Sequence, residues 1–153
     1  MRAKRRSLPG DFLLDPVILV ALALLLVNDH YLKAQWGNWW TGKLSDAAGM
    51  TLFPALLVAL AELSRRMLTA TAWRVRPPGF WLAAAVTVAT FVVIKALPAA
   101  TAVSQSLNQW AAAPLRAIGL VDSITIRQDS SDLLAVPFVL LAVWVGYRWR
   151  AAD

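Results

Sequence analysis

The sequence predicts an all-α, polytopic membrane protein of four transmembrane helices, with an interfacial helix between spans three and four. Three observations predict it. Of 153 residues, 59% are hydrophobic and only 16% charged, whereas soluble domains carry about a quarter charged residues. The mean hydropathy is +0.57. The apolar residues fall into four runs long enough to cross a hydrocarbon core, for which about 20 residues are needed. The whole chain, residues 1–153, reads as one transmembrane domain. Four spans leave little chain for a soluble module, so any function resides in or near the bilayer.

The first span is expected over residues 16–33, with Asp15 as N-cap and Pro16 at the first helical position, where its missing N–H costs nothing. The second is expected over 47–63, opening after the GKLSD segment, closing before Arg65 and Arg66, and kinked at Pro54. The third is expected over 80–97, bracketed by Pro77, Pro78 and Gly79 before it and Pro98 after it. The fourth is expected over 133–149, capped by Asp132 and containing Pro137. Between the last two, residues 101–119 repeat Val103, Leu107, Trp110, Ala111, Leu115 and Ile118 at helical spacing. Ser104, Gln105, Asn108, Gln109 and Arg116 fill the other face, as expected of a helix lying in the membrane surface and interrupted at Pro114. VDSITIR, rich in β-branched residues, reads as an extended connection.

Basic residues set the orientation. Arg2, Lys4, Arg5, Arg6, Arg65, Arg66, Arg74, Arg76, Arg148 and Arg150 gather on one side, and Lys33, Lys43, Lys95, Arg116 and Arg127 on the other, ten against five. The positive-inside rule then places both termini in the cytoplasm of a cell with an inner (plasma) membrane. Asp29, Asp46, Asp122, Asp129 and Asp132 neutralise the outer five, so the net charge of +6 belongs to the inner side. Anionic lipid accounts for that excess and nucleic acid is not an expected partner. Trp36, Trp39, Trp40 and Trp110 fall at the outer boundary, and Trp73, Trp81, Trp144 and Trp149 at the inner one, as aromatic belts do. The basic start resembles a signal peptide, but NDHYLKAQW offers no small-x-small cleavage site, so an uncleaved span is expected.

A possible duplication runs through the chain at an offset of 83, which sets Asp46 over Asp129, Pro54 over Pro137 and LFPALLVAL over AVPFVLLAV. Two helical hairpins would then be related, although any two apolar spans containing a proline align to some degree.

The candidate polar site consists of His30, Lys43, Ser45, Asp46, Arg127, Asp129 and Asp132, all on the outer side. TGKLSDAAG, from Thr41 to Gly49, crowds a lysine, a hydroxyl and an aspartate at a helix mouth. Asp46 is placed there as an N-cap meeting the positive helix end, which explains Asp46 but not Lys43. Gly37, Gly42 and Lys43 match part of a phosphate loop, but Leu44 stands where a magnesium-binding Ser or Thr is required and no strand precedes it. RQDSSD, from Arg127 to Asp132, leaves Asp129 without a capping role, to pair with Arg127 or Lys43. In NDHYLK, Asp29 and Lys33 stand four apart in the favourable order for an ion pair, beside the only imidazole, His30. His30 reads first as a hydrogen-bonded anchor, and otherwise as a general base or metal ligand. Lys95 reads as a snorkelling lysine. With no cysteine and no ligand spacing typical of a metal site, no cofactor or metal is expected.

The motifs GKLSD-x-x-G, here Gly42 to Gly49, and D-x-S-D-L-x-A-x-P, here Asp129 to Pro137, resemble a group of small, uncharacterised bacterial four-span membrane proteins. That resemblance covers about a fifth of the chain and implies no particular activity. A fainter similarity to the VanZ-like membrane family lacks that family's histidine after the aspartate. The expectation is an integral membrane protein whose outward charged site binds or processes a cell-envelope component such as a lipid headgroup. Lys43 and Arg127 would act as anion clamps and Asp46 or Asp129 as general base. The alternative is a non-catalytic accessory or scaffold subunit with a protein partner or a second copy of itself, with a transporter as a third option. Whether the chain is an enzyme stays open. Asp46 and Asp129 are expected close together, with Lys43 or Arg127 between them.

Overall fold

The computed structural model describes residues 8–70, 73–117 and 130–150. The described residues are almost wholly helical, and four helices are long and apolar enough to cross a membrane: Pro16–Trp36, Trp39–Thr69, Pro77–Ala96 and Ser131–Arg150. The described start and end of the chain meet at one end of the bundle, here the terminal end. The turns between spans one and two and the start of span four lie at the opposite end.

Span one comprises α1 (Pro16–Val27), one turn of π-helix (Asn28–Leu32) and α2 (Lys33–Trp36). The Asp15 side chain caps it as expected, accepting from the Val17 N–H at 3.0 Å. The helix runs one turn beyond the expected residue 33, to Trp36, and Lys33 bonds Asp29 at 2.7 Å across the π turn.

Span two, α3 (Trp39–Thr69), departs most from expectation. It begins eight residues before the predicted residue 47, because Asn38 rather than Asp46 is the N-cap, its side chain accepting from the Thr41 N–H at 3.3 Å. Lys43, Ser45 and Asp46 therefore project from the first turns of a helix, and Asp46 is not a cap. The helix continues through Pro54 and ends at Ala70, which adopts φ 54° and returns its N–H to the Arg66 carbonyl at 2.9 Å. Ala48, Thr51, Ala55, Val58 and Glu62 form its buried stripe, spaced three and four apart. On that stripe α3 packs against α1, α4 and both parts of the last span, which makes it the central helix.

Span three, α4 (Pro77–Ala96), takes in Pro77 and Pro78 as its first residues, where the sequence suggested they would precede it. A proline is tolerated there, since the first N–H groups have no intrahelical partner. α5 (Pro98–Ala117) follows after Leu97 and runs through Pro114 without the expected interruption. Among the described residues it contacts α4 alone, and the Thr101 hydroxyl ties the two by donating to the Ile94 and Leu97 carbonyls. The expected extended segment VDSITIR lies outside the described residues, as do Arg127 and Asp129.

Span four opens as a 3₁₀ stretch (Ser130–Phe138) and becomes α6 (Val139–Arg150). Asp132 lies within the 3₁₀ stretch rather than capping an α-helix. Pro137 supplies one cause, since it lacks the N–H that an α-helix would use. The Phe138 carbonyl at the junction accepts from the Thr51 hydroxyl of α3 at 3.2 Å. Pro54 and Pro137, paired in the apparent repeat, thus stand in different local conformations.

The interior is lined by small residues, among them Ala48, Ala55, Ala84, Ala135 and Ala142, which allow the close backbone approach typical of membrane bundles. Gly146 is the tightest case: a Cβ there would lie 2.4 Å from the buried Phe80 ring. Phe80 meets Phe12 edge to face, with centroids 5.0 Å apart. The outside is the reverse of a soluble protein. Leu19, Val20, Leu22, Leu24 and Leu26 of α1, and Leu82, Val86 and Val93 of α4, are exposed, which suits hydrocarbon as the solvent.

Candidate functional site

At the opposite end, three spans bring their charges to one place. Asp132, at 8% side-chain exposure, receives the Lys43 ammonium on Oδ1 and the Lys95 ammonium on Oδ2. Lys95 also lies 3.6 Å from Asp46 Oδ2, so its ammonium stands between the Asp46 and Asp132 carboxylates. The four side chains come from the first turns of α3, the last turn of α4 and the 3₁₀ stretch. Their formal charges cancel. Lys43 stands over the Trp39 ring at 5.3 Å, and the Trp39 indole N–H reaches the Ser131 hydroxyl at 3.3 Å, so the aromatic boundary residue also belongs to the cluster.

A second chain of contacts lies beside it on α3. The buried Asn28 amide donates to the Thr41 carbonyl at 2.7 Å and to the Ser45 hydroxyl at 2.6 Å. Ser45 in turn donates to Asp29 at 2.7 Å, and Asp29 holds Lys33. Ser45 and Asp46, adjacent in sequence, thereby address span one and span three respectively. The π turn presents Asn28 and Asp29 to α3, a placement in line with the tendency of π-bulges to occur at functional sites.

Of the expected site residues, Lys43 and Asp132 meet directly, Asp46 joins through Lys95, and Ser45 binds the span-one group. His30 is exposed, with Nδ1 3.0 Å from the Leu26 carbonyl one turn earlier. Arg127 and Asp129 lie outside the described residues, so the expected pairing of Asp46 with Asp129 does too; the carboxylate observed beside Asp46 is Asp132. Lys95 is the correction among the cations. It does not snorkel, being 12% exposed and held by two aspartates. Its signal was in the sequence: Phe80, Ala84, Thr87, Phe91 and Lys95 continue one helical face. Among the described residues no three His, Asp or Glu side chains gather as metal ligands would.

The terminal end holds a second network that the capping and charge arguments missed. Glu62 is fully buried and accepts from the Gly10 N–H at 2.9 Å, the Val75 N–H at 2.8 Å and the Arg150 guanidinium. Asp11 pairs with Arg74 and Arg150, the latter at 3.3 Å. Asp15, beyond capping span one, holds Arg148 and accepts from the Trp149 indole at 2.6 Å. Burial alone would raise the Asp15 pKa, but the bonds from Arg148, Trp149 and Val17 outweigh it and hold the carboxyl below its ordinary 3.8. Gly10, at φ 71°, makes the turn that aims its N–H at Glu62. Glu62 falls on the buried stripe of α3, which was the available clue. The network joins the segment before span one, the α3–α4 connection and the end of α6, and every carboxylate in it is spent on holding chain, so it is a structural staple.

Comparison with protein-family models, curated proteins and solved structures finds no match for this chain.

Proposed function

We propose that the chain is an integral protein of a bacterial inner membrane, with both termini cytoplasmic, and that its outward-facing cluster binds the headgroup of a cell-envelope lipid. The observation that supports this reading is the convergence of Lys43 and Lys95 on opposite oxygens of Asp132 with Asp46 alongside, each side chain between 8% and 21% exposed. Ionisable groups at membrane depth are costly and commonly mark functional sites. Two cations and two anions favour a zwitterion. A phosphate arriving alone would take the lysines and leave Asp132 unpaired at a low-dielectric boundary, a heavy penalty. A headgroup carrying a phosphate and a primary amine replaces each ion pair with another: phosphate on Lys43 and Lys95, ammonium on Asp46 and Asp132. The reading is one of binding, since the Ser45 hydroxyl is committed between Asn28 and Asp29 and the Ser131 hydroxyl accepts from the Trp39 indole.

A scaffold role is the second reading, favoured by the fact that the same ion pairs join three spans. Titration of purified protein with short-chain phosphatidylethanolamine separates the two. Saturable binding that weakens at least ten-fold in Asp46→Asn, with the melting temperature held, is the expected outcome. The scaffold reading instead requires a lower melting temperature in Asp46→Asn and no saturable binding in either protein.

A further inference from the structure

We infer that the terminal end of the bundle carries a separate binding groove for one anionic glycerophospholipid, with an acyl chain between α3 and α4 and the phosphate on Arg76. A groove of about 530 Å³ runs there, walled by Leu57, Ala61, Leu82 and Val86 and headed by Trp73 and Arg76. That volume lies within the roughly 300–1,000 Å³ typical of small-molecule sites. Leu82 and Val86 are 68% and 48% exposed, so the groove faces the lipid and not the bundle interior. Val86 stands nine residues after Pro77, about 13 Å along the helix at 1.5 Å per residue. The groove thus reaches from the span's end to near the middle of a hydrocarbon core of about 30 Å, the depth of one acyl chain.

Charge identifies the headgroup. Three arginines of this end are neutralised by acids: Arg74 by Asp11, Arg148 by Asp15 and Arg150 by Glu62 and Asp11. Arg76, at the N-terminus of α4, and Arg65, whose guanidinium stacks 4.7 Å over the Trp73 ring, make no ion pair among the described residues. The uncompensated Arg76 guanidinium therefore stands at the mouth of an apolar groove, with that of Arg65 behind the Trp73 indole, at the boundary where tryptophan favours the headgroup region. Guanidinium is suited to bidentate phosphate contact. A zwitterionic lipid would bring its own cation to this already positive mouth, so an anionic one fits better. The inference stands independently of the headgroup site at the other end.

The test is native mass spectrometry of the full chain, released from nanodiscs holding equal phosphatidylglycerol and phosphatidylcholine. Retained phosphatidylglycerol should exceed phosphatidylcholine by about ten-fold, and Arg76→Gln, which breaks no side-chain hydrogen bond or ion pair among the described residues, should bring the ratio close to one. Val86→Trp, which fills the groove from its exposed side, should lower retention of both lipids. Millimolar inorganic phosphate should displace neither. An unchanged lipid ratio in the Arg65→Gln, Arg76→Gln double variant, or unchanged retention in Val86→Trp with normal melting, would overturn the inference.

Discussion

Glu62 sits fully buried, with two backbone amides and a guanidinium donating to it. Its replacement by alanine leaves two buried N–H groups unsatisfied and Arg150 with only the longer carboxylate contact to Asp11 at 3.3 Å, and breaking a buried pair in this way costs about 3–5 kcal/mol. Thermal unfolding in detergent should show Glu62→Ala as strongly destabilised, well below Glu62→Gln, which keeps acceptor capacity for the amides. Asp15 gives a pH signature. Its folded pKa lies below the ordinary 3.8, so its stabilisation is present above that value and is lost as pH falls through the lower, folded one. Melting temperature should therefore drop on acidification below about pH 4, and Asp15→Asn should start lower and show a shallower acid limb. Neither role was legible from the sequence. Capping chemistry explains Asp15 locally, and nothing local reveals that Arg148 and Trp149, more than 130 residues away, share its carboxylate.

The helices were legible because length and apolarity decide a span, and all four were anticipated within a few residues except at the two ends of α3, which starts eight residues before the expected 47 and runs six past the expected 63, through Arg65 and Arg66 instead of closing before them. At the start, Asp46 offered a good capping residue with helix-compatible sequence after it. The cap is instead Asn38, eight residues earlier, and Trp39 and Trp40, read as outer-boundary residues, open the helix. The earlier cap prevails, and Lys43 can then reach Asp132 from the first turns of the same helix. Lys95 was misread for a related reason: snorkelling depends only on distance from a span end, whereas pairing depends on what the neighbouring spans present. Two element-scale outcomes follow from backbone geometry. Ala70→Gly should stabilise the end of α3 by up to about 1 kcal/mol, because alanine is strained at the left-handed φ of 54°. Gly146→Val should destabilise α6 against α4 by about 1–3 kcal/mol, since its added atoms meet the Phe80 ring. Chemical or thermal melts of the two variants check both signs.

Across the whole molecule, one end is a staple of acids and arginines that closes the chain's described ends onto α3, and the other gathers a neutral, partly accessible cluster from three spans. The even number of spans brings residues 8–15 and 148–150 to the same end, and the arginine excess there predicts that reporter fusions after Arg150 read as cytoplasmic. The overall topology followed from composition, but the cluster's membership did not, because Asp132 is defined by its meeting with Lys43 and Lys95 in space. Whether that cluster holds a lipid is tested most directly by native mass spectrometry of the protein extracted from its own membrane. The account predicts one retained amine-bearing zwitterionic lipid per chain, lost in Asp46→Asn. A stoichiometric protein partner with no lipid, or the amine-bearing lipid retained equally by Asp46→Asn, would contradict it.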